Sequence, residues 1–134
     1  MISTNDVLEF LEGVFTEIPY EAWGVNYIDI NKPQQIGVYS RRNGRVQPTT
    51  VGSKPAGWGI KSITLLVHWG ESSVACEQKA LDIFKRLNSL ETNLAIGGKS
   101  CWIMARQAPV MIGKDDNGKY WQCVIDLDVY FRKG

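Results

Sequence analysis

The segment KYWQCVIDLDVYFR, residues 119–132, constrains the fold more than any other part of the chain. Trp121, Cys123, Ile125, Leu127, Val129 and Phe131 alternate with Tyr120, Gln122, Val124, Asp126, Asp128 and Tyr130. Successive strand side chains point to opposite faces, so this pattern predicts one long strand with an apolar face and a mixed face. About twelve residues at strand rise span roughly 40 Å. A second strand is predicted at 60–69, where Ile63, Leu65, Val67 and Trp69 share one face and Thr64, Leu66 and His68 the other. Shorter strands are predicted at 36–40 and 101–107.

Two helices complete the set. Residues 4–18 carry Val7, Leu8, Leu11, Val14, Phe15 and Ile18 at helical spacing behind the capping candidates Thr4, Asn5 and Asp6, and Pro19 ends the run. The second helix starts at Ser72 or Ser73 and ends near 88–90, with Val74, Gln78, Leu81, Phe84 and Leu87 as its expected apolar stripe. Residues 20–35 read as a loop or a short strand, 91–100 as a connection turning at Gly97-Gly98, and 109–113 as a bend. This order predicts an α+β fold, a mostly antiparallel sheet with two helices packed on one face. At 134 residues the chain is expected to form one domain, 1–134.

Between the strands at 36–40 and 60–69 lies RRNGRVQPTTVGSKPAGWG, residues 41–59, read as a long flexible loop. It carries Arg41, Arg42, Arg45 and Lys54 with no acid, a composition suited to phosphate or an acidic neighbour. Trp58, set between Gly57 and Gly59, is a candidate interface anchor.

Asp115-Asp116-Asn117-Gly118 could be a calcium loop or a turn. A calcium loop needs a distal bidentate Glu and a helix on either side, and a strand follows here, so a turn is expected. Asp126 and Asp128 share a strand face about 7 Å apart. Paired carboxylates can bind Mg²⁺ or act as acid and base, but on an exposed sheet face they commonly solvate the surface or meet a basic partner. His68 is the single histidine, and no Cys or His stands at ligand spacing to it, so a structural role is expected. Cys76, Cys101 and Cys123 form no CxxC pair and sit in apolar segments, which reads as reduced, buried thiols. No phosphate-binding, dinucleotide, zinc-protease or serine-hydrolase motif is present. No cofactor or metal is expected, and the chain is read as a non-enzyme.

The net charge of +1 gives no global field for coating nucleic acid. The N-terminus lacks a basic region and an apolar core, so a signal peptide is not expected, and the apolar runs are far too short for a membrane span.

The second half has a familiar pattern. A strand, IKSITLLVHWG, runs into a helix, ESSVACEQKALDIFKRLNSL, and then into SCWIMARQAPVMIGKDDNGKYWQCVIDLDVYFR. Within the last stretch Pro109, Ile112, Gly113, Asp115 and Gly118 precede the long final strand. The chain resembles the minor capsid and tail-terminator proteins of long-tailed bacteriophages, and the likeness in element order extends to the N-terminal helix and IGVYS. The resemblance implies a structural virion protein, a tail-terminator or head–tail joining subunit that forms a homo-oligomeric, hexameric ring on the tail tube. It implies a tail-tube protein and a head-completion protein as partners, and DNA passing through the ring. It places the protein in the virion and, during assembly, in the host cytoplasm. Arg41, Arg42, Arg45, Lys54, Trp58, Asp126 and Asp128 are then expected at an oligomer or partner interface. The alternative is a small metal-dependent nuclease or nucleic-acid-binding module using the basic loop with Asp126 and Asp128.

Overall fold

The computed structural model describes residues 2–41, 58–90, 93–105 and 107–132. Their elements run α1 (Thr4–Val14), a short 3-10 turn (Tyr20–Ala22), β1 (Trp23–Val25), β2 (Gln34–Ser40), β3 (Trp58–Trp69) and α2 (Ser73–Asn88). Then come β4 (Leu94–Ile96), β5 (Lys99–Ala105), β6 (Val110–Lys114) and β7 (Trp121–Arg132). Among the described residues the strands form one seven-stranded sheet in the order β1-β2-β3-β7-β5-β4, with β6 also paired to β7. The β1–β2 pair is parallel and every other pair antiparallel. The fold is α+β, as the sequence predicts.

β7 is the spine. It pairs with β3 from Gln122 to Arg132 on one side. On the other side it meets β5 along Leu127–Phe131 and β6 along Trp121–Val124. Cys123, Ile125, Leu127, Val129 and Phe131 are buried, and Ile63, Leu65 and Val67 from β3 join them in a single core. Val7, Leu8 and Leu11 of α1 and Cys76, Ala80, Ile83 and Leu87 of α2 close that core from the same side. Both helices therefore cover one sheet face.

Local chemistry fixes the element ends. Ser3, one residue ahead of the expected caps, begins α1: its hydroxyl accepts the Asp6 N–H at 3.0 Å, and the Asp6 carboxylate accepts the Ser3 N–H at 2.9 Å. α1 stops at Val14, short of the expected residue 18. Arg86 of α2 accounts for that end, donating to the Val14 carbonyl at 2.9 Å and lying 4.3 Å from the Phe15 ring centre. Phe15 and Ile18 still enter the core, beyond the helix.

The face of α2 differs from the expected stripe. Val74 and Gln78 are exposed, and Cys76, Ala80, Ile83 and Leu87 face the sheet. Small side chains at 76 and 80 let the helix approach closely, with the Cys76 sulfur 3.5 Å from the Val67 carbonyl oxygen. Two strands replace irregular segments. The connection read at 91–100 contains β4, which turns through Gly97-Gly98 into β5, and the bend read at 109–113 is β6, with a bulge between Met111 and Gly113.

The loop expected at 41–59 is also shorter. Trp58 and Gly59 belong to β3, paired with Arg132 and Phe131, and the Arg41 N–H donates to the Ser62 carbonyl at 2.9 Å. Arg42, Arg45 and Lys54 lie outside the described residues. No described helix is long and apolar enough to cross a membrane.

The Leu127→Ala variant removes a fully buried side chain from the middle of the spine. It is expected to cost roughly 2–5 kcal/mol, read as a fall in the urea midpoint at unchanged slope.

Candidate functional site

The sheet face away from the helices carries the polar half of β7. Asp126 lies opposite Thr64, and Asp128 opposite Ser62 on β3 and Met104 on β5. Strand register alone thus places a hydroxyl beside each carboxylate. Thr64 Oγ1 donates to Asp126 Oδ1 at 2.7 Å, and Ser62 Oγ donates to Asp128 Oδ1 at 2.8 Å.

Arg41, just past the end of β2, reaches over both acids. Its Nη2 lies 2.9 Å from Asp128 Oδ1 and its Nη1 lies 3.4 Å from Asp126 Oδ2. Nη2 also approaches the Leu127 carbonyl at 3.4 Å. The Asp128 side chain is only 1% exposed, whereas Asp126 is 30% and Arg41 28% exposed. A buried carboxylate is tolerated when a cation and hydrogen-bond donors replace its water, and Arg41 with Ser62 does that for Asp128. The planar fork of arginine suits a bridge between two carboxylates. The pair read as possible metal or acid–base residues is thus held in an intramolecular clamp, and Arg41 is spent on its own chain's acids.

Beside the clamp, toward the end of β7, is an aromatic cluster. Trp102 stacks on Tyr130 with centroids 5.0 Å apart and planes 9° apart, and Trp58 meets Trp102 edge-on at 4.5 Å. The Arg132 guanidinium lies 5.6 Å from the Trp58 ring centre. Trp58 is a half-buried member of this cluster at the start of β3. Trp102, Ser62 and Thr64 went unremarked as site residues. Their signal is non-local, because only the pairing of β3 and β5 with β7 brings them there.

At the opposite end of the same face His68 is fully buried. Its Nε2 lies 2.9 Å from the Lys32 carbonyl and its Nδ1 3.0 Å from the Gln122 amide nitrogen. Nε2 must donate to the carbonyl and Nδ1 must accept from the amide, which selects the neutral Nε2–H tautomer. Next to it, Asp115-Asp116-Asn117-Gly118 forms a turn. The Gly118 N–H donates to the Asp115 carbonyl at 2.9 Å, and the Lys119 N–H donates to the Asp115 carboxylate at 3.1 Å. Gly113 and Gly118 have φ of 105° and 67°, which explains glycine at both positions. Among the described residues no three His, Cys, Asp or Glu side chains gather where they could hold a metal ion.

The three thiols are buried and free. Burial, with the nearby Cys123 adding to it, pushes the Cys76 thiol up to about 12. Burial also raises Cys101 and Cys123. None has the electropositive, accessible setting of a nucleophile.

No protein-family model matches the chain, and no curated protein matches it. Among solved structures, one protein of no stated function is 13% identical, with 100% of this chain and 98% of that one covered at a TM-score of 0.45.

Two outcomes are expected. Arg41→Ala removes the cation from a carboxylate that stays buried, and should cost roughly 1–3 kcal/mol in chemical denaturation, with Arg41→Lys restoring only part of it. A thiol-reactive probe at pH 8 should label Cys76 and Cys123 in the folded protein far more slowly than in urea. Because folding raises the Cys76 value, its contribution to stability is complete below the ordinary thiol value of 9.0 and declines as pH rises toward about 12.

Proposed function

We propose that the chain is a structural virion subunit, a tail-terminator or head–tail joining protein that assembles as a homo-oligomeric ring on a phage tail tube. One observation carries this reading. Apolar side chains stand exposed together along one side of the sheet, with Met104 at 48%, Val110 at 47% and Ile112 at 53%. Among the described residues β6 pairs only with β7, so its other edge is open. Exposed apolar groups beside an unpaired strand edge suit a protein that completes itself by contact with a neighbour. The resemblance in Pro109, Ile112, Gly113, Asp115 and Gly118 falls on this same strand and turn.

The nuclease alternative needs Asp126 and Asp128 available to a divalent ion, and the Arg41 guanidinium lies against both. In the proposed setting the ring is hexameric, the tail-tube and head-completion proteins are its axial neighbours, and DNA passes through its centre. The protein then works in the virion, reached from the host cytoplasm.

Sedimentation velocity and negative-stain microscopy test this over rising concentration, with and without purified tail tubes. Closed rings, alone or on tube ends, are expected. A chain that stays monomeric at every concentration and leaves the tubes bare would overturn the proposal.

A further inference from the structure

On the ring reading above, the edges of the sheet decide which surfaces join. Among the described residues β1 pairs only with β2 and β6 only with β7, which leaves an open edge on each strand in one row. Trp23 of β1 pairs with Ile36, Ile36 with Val67, Val67 with Cys123, and Cys123 with Met111 of β6. The next row runs Gly24, Gly37, Leu66, Val124, Val110. The free edges of β1 and β6 therefore lie at one height, four strand spacings or about 19 Å apart.

Directions follow from the same pairs. β2 is parallel to β1, β3 antiparallel to β2, β7 antiparallel to β3 and β6 antiparallel to β7. A copy placed so that its β1 continues the sheet beyond β6 would meet it antiparallel, with ladder hydrogen bonds open to both. Met111 would then sit beside Trp23 and Val25 of the neighbour, and all three already pack against the core on the helix side of the sheet.

Charge matches the same register. Lys114 pairs with Trp121, two residues before Cys123, and Glu21 stands two residues before Trp23. Both steps lead toward the same end of the two edges, so Lys114 leaves β6 at the end where the 3-10 turn carrying Glu21 enters β1. Glu21 lies with Glu9 and Glu12 in a groove of about 310 Å³ between α1 and β1. Among the described residues none of these three acids, nor Lys114, has an ion-pair partner. Burial and the neighbouring Glu9 raise Glu12, as expected of an acidic groove without a cation.

We propose that the β6 edge of one copy adds antiparallel to the β1 edge of the next, Lys114 entering the acidic groove at Glu21. The two patches differ, so the contact is head-to-tail, the kind that builds a ring when its rotation closes.

Charge reversal tests it on the full chain by sedimentation. K114E and E21K change exposed side chains and should keep the folded near-ultraviolet circular dichroism, with K114E lowering the melting temperature by a few degrees at most through loss of the Lys114 contact with the Trp121 ring. Each alone faces like charge and should associate about tenfold more weakly or worse. In an equal mixture, alternation of the two variants restores opposite charge at every contact and should recover assembly in rings of even number. Single variants that assemble as well as wild type would overturn the edge pairing and leave the ring reading standing. Weakened variants that do not complement each other would overturn the head-to-tail register. A wild-type chain that never self-associates would overturn both readings, and one captured only by tail tubes would give the edges to a foreign strand and overturn self-pairing.

Discussion

The β7 backbone ladder is the constraint on which the rest depends. Its eleven-residue register with β3, Gln122 to Arg132, and its shared flank with β5 and β6 make it, among the described residues, the one strand bonded to three others. Its odd positions from 123 to 131 build the core that both helices cover. Its even positions build the open face, where Asp126, Asp128 and Tyr130 stand in line. A slip of one residue would drive two carboxylates under the helices and lift Ile125 and Leu127 into solvent. Register here is set by the cost of burying charge as much as by the gain from burying hydrocarbon.

The Arg41 clamp is the local expression of the same constraint. Asp128 has lost its water and accepts from Ser62 and Arg41 instead. Such a site adds little net stability over an apolar replacement, but losing one partner is costly. Its effect is positional. It ties the end of β2 across β3 to β7. The carboxylates are thus held by contacts within the chain.

The sequence made the long elements legible because their signals are local and repeated. Alternation located β3 and β7, helical spacing located α1 and α2, and Gly97-Gly98 and Asp115–Gly118 marked turns that form. Two of the short strands were not legible. β4 has three residues, and β6 follows Pro109 and is interrupted by a bulge, so neither shows a period. The face of α2 was misread because large residues were favoured, when close packing selected Cys76 and Ala80. The site was half legible. Asp126 and Asp128 were placed on one face, but their partners Arg41, Ser62 and Thr64 are 62 to 87 residues away along the chain. That distance is spanned by sheet pairing, which no spacing rule in the sequence records.

The central claim is that Asp126 and Asp128 are structural acids held by Arg41. Paramagnetic broadening by Mn²⁺ in an amide NMR spectrum tests it most directly, with Mg²⁺ as competitor. The account predicts no saturable loss of signal centred on residues 124–130. Saturable broadening at those amides that Mg²⁺ reverses would contradict it, because the clamp would then yield its carboxylates to a metal.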